Sequence, residues 1–198
     1  MPPFRAHLFL SLLLKLVLTV QMILLAACAS SRRASDSAHQ RLIEQNTQKS
    51  EKFEGFYNTY QVHMTLLNPP VRLGLVQRLA EAQHWESQKI NFEREKALQE
   101  MSTQTQVFMA FYSPRAELND WTQANSIWRV YITHNGIRYD GRVEQVPFKK
   151  ADIPFLFPHT NRFTSHYLLT FNLPTRSLEM GPTQLTITSS AGESEFRF

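Results

Sequence analysis

From Gln106 to the C-terminus no helical period survives; β-branched and aromatic residues recur in short runs separated by Pro, Gly and Asn. Such punctuation restricts this half of the chain to short strands joined by turns. Val107 to Tyr112 is an almost continuous apolar run stopped by Ser113-Pro114, the pattern of a strand buried on both faces. Ile127 to Thr133 and Ile137 to Val146 flank His134-Asn135-Gly136. Asn-Gly is the strongest short hairpin signal, because both central residues of a type I′ turn need positive φ. Phe163, Tyr167, Leu169, Phe171 and Leu173 alternate with more polar neighbours up to Pro174, and Gln184–Ser189 and Glu193–Phe198 flank Ser190-Ala191-Gly192. An earlier alternation, Tyr60, Val62, Met64 and Leu66, brings the expected strands to seven. Seven short antiparallel strands are the count of a two-sheet sandwich.

Between the first two of these strands lies a different period. Asn68-Pro69-Pro70 ends the first, since proline donates no ladder hydrogen bond but suits the first turn of a helix. Val71 to Met101 has one glycine and no proline, and Leu75, Leu79, Ala82, Ile90, Ala97 and Met101 fall near one face. A helical insertion at about 70–103 is expected, as one helix or as two joined near His84–Ser87.

The N-terminus predicts export. Residues 1–15 carry Arg5, His7 and Lys15, and residues 16–27 are uncharged and mostly apolar. Leu25-Ala26-Ala27-Cys28 resembles the lipobox of bacterial lipoproteins. The resemblance implies a signal peptide over 1–27, a diacylglycerol and an acyl chain (typically palmitate) on Cys28, and no other cofactor. Ala29 and Ser30 follow the cysteine in place of the aspartate that retains family members at the inner membrane. An outer-membrane, periplasm-facing address is therefore implied, with the cell surface as the alternative. The competing reading is an uncleaved span over residues 8–28, about 30 Å at 1.5 Å per residue. It would place Lys15 inside the bilayer at about 2.5–3.5 kcal/mol.

Residues 28–53 are polar, with only Leu42 and Ile43 as large apolar residues before Phe53, and read as a flexible tether reaching about 25–30 Å. A short amphipathic helix from Ser37 is the alternative. The folded domain is then 54–198. Its C-terminal pattern, Leu178-Glu179-Met180-Gly181-Pro182 followed by Leu185-Thr186-Ile187-Thr188 and a Gly-containing turn, resembles the last strands of bacterial immunoglobulin-like or fibronectin-like domains. The expected fold is thus mainly β, an immunoglobulin-like sandwich with a helical insertion.

Charge narrows the function. The chain carries a net +4, yet from Phe53 onward it holds 14 basic and 14 acidic residues. The surplus belongs to the leader and tether, so the domain lacks the clustered excess that tracking phosphates of nucleic acid requires. No nucleophile elbow, phosphate loop or His-Glu-x-x-His occurs, and an acylated Cys28 is no nucleophile. Asp140 and Glu144, on one expected strand, would stand about 13 Å apart, beyond the reach of paired acid and base catalysis. His63, His84, His134, His159 and His166 lack helical metal-ligand spacing and read as surface residues, the alternative being a metal site assembled across the fold. A non-enzymatic module contacting an envelope protein or cell-wall component is the expectation. The candidate binding face combines Trp121, Trp128, Arg129, Arg138, Tyr139 and Arg142, with Tyr131, for glycan or peptide; its alternative is half core, half solvated sheet. Pro154-Phe155-Leu156-Phe157-Pro158-His159 reads as core, or as a docking patch if exposed.

Overall fold

A computed structural model describes residues 36–198. The leader, Cys28 and residues 29–35 lie outside the described residues. Compactness separates residues 1–41 from 42–198; the architecture below is that of the second unit.

Two antiparallel sheets face each other. The first has β1 (Thr47–Glu54), β2 (Tyr57–Leu66), β3 (Thr105–Tyr112), β7 (Ser165–Phe171) and β6 (Arg142–Gln145), in the order β1-β2-β3-β7-β6. The second has β5 (Ile137–Asp140), β4 (Arg129–His134), β8 (Thr183–Ser189) and β9 (Gly192–Arg197), in the order β5-β4-β8-β9. Alternate side chains from both, including Val62, Met64, Val107, Phe111, Ile132, Leu169, Ile187 and Phe196, form the shared core. The arrangement is sandwich-like, with nine strands instead of the expected seven.

The two additional strands have physical causes. β1 corrects the expected tether over 47–53, and residues 36–45 before it are helical. β1 holds its place through polar contacts that composition does not reveal. The Gln48 side-chain amide accepts from the Arg197 backbone N–H (3.2 Å) and donates to the Arg197 carbonyl, closing the edge of β9 across the sandwich. Ser50 Oγ meets Ser194 Oγ at 2.9 Å. The other addition arises at Gly141, where the expected strand 137–146 leaves one sheet for the other and becomes β5 and β6. A Cβ on Gly141 would lie 2.6 Å from the Phe171 ring and 2.9 Å from Val130. Only a residue without a side chain lets the crossing strand press this closely onto the core. The Asn135-Gly136 turn has φ of 49° and 79°, as a type I′ hairpin requires.

The insertion follows β2 and therefore sits between the second and third strands, not the first and second. It is two helices, α1 (Pro69–Gln83) and α2 (Ser87–Thr103). Asn68 Oδ1 caps the start by accepting from the Val71 N–H at 3.2 Å, with the two prolines in the first turn. His84 ends α1 in the left-handed region (φ 52°), and the Trp85 N–H returns to the Ala80 carbonyl at 3.0 Å. That geometry is a Schellman stop. Val71 and Leu75 pack with Phe108, Ala110 and Leu168 on the outer face of the five-stranded sheet, together with Ile153, Leu156 and Phe157 from α3 (Ile153–Leu156) and its exit. β3 is buried on both faces, as its apolar run predicts.

Candidate functional site

The candidate Trp and Arg face divides, as its alternative has it, into core and solvated sheet. Trp121 and Trp128 are each 4% exposed and stack on one another with ring centroids 4.6 Å apart and planes 7° apart. Phe111 meets both edge-on at 5.1 Å, and Trp128 Nε1–H donates to the Leu118 carbonyl at 3.0 Å. Both indoles are core. They plug the sandwich where the 113–128 connection passes from β3 in one sheet to β4 in the other.

The remaining members scatter. Arg129 lies exposed on the outer side of the four-stranded sheet, its guanidinium donating to the Ser126 and Trp128 carbonyls at 2.9 Å. Arg138 shares that side, stacked over the Tyr131 ring at 3.8 Å and paired with Asp140 at 2.7 Å. Tyr139 pairs with Ile132 and packs against the core. Arg142 belongs to the other sheet, paired with Glu144 at 3.1 Å. The Asp140 and Glu144 carboxyls are accordingly on different sheets, each held by its own arginine.

A feature the sequence reading missed stands at the β1–β2 hairpin tip. Phe53, Phe56 and Tyr57 are 58%, 101% and 82% exposed around Gly55. Burying one such ring is worth about 1.5–3 kcal/mol, and three stand exposed at this one tip. The signal was present in Lys52-Phe53-Glu54-Gly55-Phe56-Tyr57, an aromatic cluster about a glycine, but the assumed end of the tether divided it.

The histidines are not uniformly on the surface. His134 is buried, its Nδ1 2.8 Å from Thr183 Oγ1. His84 is exposed at the helix stop. His63 on β2, His159 after α3 and His166 on β7 gather around Phe108 on the outer face of the five-stranded sheet. His63 and His159 stack at 5.1 Å, and Phe108 stacks on Phe157 at 3.6 Å. Neither ring nitrogen of His159 meets a hydrogen-bond partner in the protein. Burial, followed by the proximity of His63 and His166, pushes the His159 imidazole down to about 4. Burial also lowers His63, with Lys49 adding and Glu51 opposing, and lowers His166, with Lys150 adding. Unprotonated, stacked imidazoles act here as packing surface. Among the described residues no group of three or more His, Cys, Asp or Glu is placed to hold a metal ion.

The Pro154–His159 segment divides between its two readings: Leu156 and Phe157 are buried, whereas Phe155 remains at the surface beneath the Arg78 guanidinium, 3.9 Å from its ring centroid. Among the described residues no helix is long and apolar enough to cross a membrane. Compared with known proteins, the chain matches no family model, no curated protein and no solved structure.

Proposed function

We propose that this chain is a lipid-anchored lipoprotein of the bacterial outer membrane whose sandwich faces the periplasm and docks an envelope protein without catalysing a reaction. Anchoring rests on Leu25-Ala26-Ala27-Cys28. Docking rests on one observation, the exposed aromatic tip of Phe53, Phe56 and Tyr57. Its antiparallel strands and facing sheets support an immunoglobulin-like relation for the fold, with the α1–α2 pair as the departure. The glycan- or peptide-binding alternative loses its indoles to the core and retains Arg129, Tyr131 and Arg138 on one sheet face.

The tip is tested with a photoreactive benzophenone side chain at position 56, irradiated in native envelopes. One discrete protein adduct, lost when Phe53 and Tyr57 are changed to Ser, is expected. An absence of adducts, or a diffuse set unaffected by those changes, refutes the docking role. Anchoring is tested separately: Cys28→Ala should release the chain from washed membranes, and continued partitioning would contradict acylation.

A further inference from the structure

The segment from Val146 to Thr164 crosses the outer face of the five-stranded sheet and borders, against β7, an open cleft of about 620 Å³. The charged side chains lining it are Lys150 and Arg162, with His166 beside them; no carboxylate lines it. Of the acidic residues adjoining the lining in sequence, Asp152 lines the separate cleft under α1 and α2 and Glu144 is paired with Arg142. Asn161, Thr164 and Ser165 add hydrogen-bonding groups. A tight turn presents them: the Thr164 hydroxyl donates to the Asn161 carbonyl at 2.8 Å, and Asn161 Oδ1 accepts from the Phe163 N–H at 2.8 Å. Arg162 therefore sits at the turn apex, its guanidinium 4.6 Å from the Phe163 ring centroid. Phe148, Ile153 and Pro154 supply an apolar side.

We infer that this pocket binds a phosphate monoester carried on a sugar-sized group, with Lys150 and Arg162 holding the phosphate and the apolar side receiving the ring. Two cations without a neutralising carboxylate concentrate field on an incoming anion. A guanidinium fork and the point charge of an ammonium can both hydrogen-bond to phosphate oxygens, of which a monoester offers three. The volume exceeds what a bare ion fills and falls within the range of small-molecule sites. His166 reports on occupancy. Its Nε2 lies 2.8 Å from Thr164 Oγ1, Lys150 and His159 interact with it electrostatically, and Arg162 and Tyr167 line the same pocket. An anion placed among them favours the imidazolium form. This reading is independent of the lipid anchor and of the aromatic tip.

The test uses the full chain in neutral detergent micelles, following the His166 C2–H resonance, assigned with His166→Gln. Inorganic phosphate should shift it saturably and raise its titration midpoint. A hexosamine phosphate should bind about tenfold more tightly than phosphate, and the uncharged N-acetylhexosamine should not bind. Lys150→Gln and Arg162→Gln, both at exposed positions, should each weaken binding about tenfold or more with unchanged melting. Reconstitution into vesicles with and without phosphatidic acid separates sources: a His166 shift only with phosphatidic acid, again dependent on Lys150 and Arg162, assigns the phosphate to a lipid headgroup. No saturable shift with phosphate, hexosamine phosphate or phosphatidic acid overturns the proposal. So does binding that both variants leave intact.

Discussion

Acidification from pH 7.5 to 5 should destabilise the folded unit, and His159 should carry most of the change. In the unfolded chain its imidazole titrates near 6.5; in the fold, burial holds it at about 4. The native state thus takes up fewer protons than the unfolded state between these values. Stability is complete above about pH 6.5, falls as the pH drops through the window, and levels below about 4. At about 1.4 kcal/mol per pKa unit, the full window is worth about 3 kcal/mol, of which about 2 kcal/mol is lost by pH 5. His63 and His166 are displaced in the same direction and add to the loss. Urea unfolding of the full chain in neutral detergent at a series of pH values measures it. His159→Gln should be less stable near neutral pH, with the difference closing on acidification because its slope between 6.5 and 4.5 is distinctly shallower, while the His159 C2–H midpoint in the wild type should lie near 4. A wild-type stability that is flat or rises on acidification refutes the argument. So does an equal slope in the variant.

Two further perturbations test the packing. Trp128→Ala should cost about 3–5 kcal/mol in urea unfolding, because it opens a cavity beneath Trp121 and Phe111, whereas Arg129→Ala at the next position should stay within about 0.5 kcal/mol. Comparable costs would return the indoles to the surface. Gly141→Ala should cost about 1–3 kcal/mol and shift the Phe171 ring resonances, since the added methyl meets that ring at 2.6 Å; an unchanged spectrum would mean that the crossing is looser than it stands here.

Much of the fold was legible because its strands obey a period of two and its turns use residues with few alternatives. Asn135-Gly136 announced a hairpin, and Pro69-Pro70 announced the change from strand to helix. Strand ends were harder to read. β1 is polar up to Phe53, and what orders it is the antiparallel ladder with β2 together with an amide from Gln48 and a hydroxyl from Ser50 reaching residues far along the chain. Composition treats such a stretch as unable to offset its ordering entropy, since it counts apolar burial and not a partner on another strand. The sheet switch at Gly141 was hidden for a related reason. Alternation continues through it, and only the missing side chain distinguishes a crossing from a longer strand.

The half-core, half-solvated alternative describes the Trp and Arg segment, because aromatic content does not fix exposure. Trp121 and Trp128, interleaved with arginines, imitate a binding face. Yet Trp121 and Trp128 border a connection that has to leave one sheet and enter the other, and the gap it leaves at the end of the sandwich needs large side chains. Tryptophan fills such a gap with an apolar body while its N–H satisfies a local carbonyl, as Trp128 does with Leu118. Phe56 and Tyr57 lie at a two-strand tip where no core remains to receive them, and Phe92 and Phe163 are exposed elsewhere on the surface. Proximity to a hairpin apex therefore bears on whether an aromatic ring is exposed in this fold, which the number of tryptophans in a segment does not.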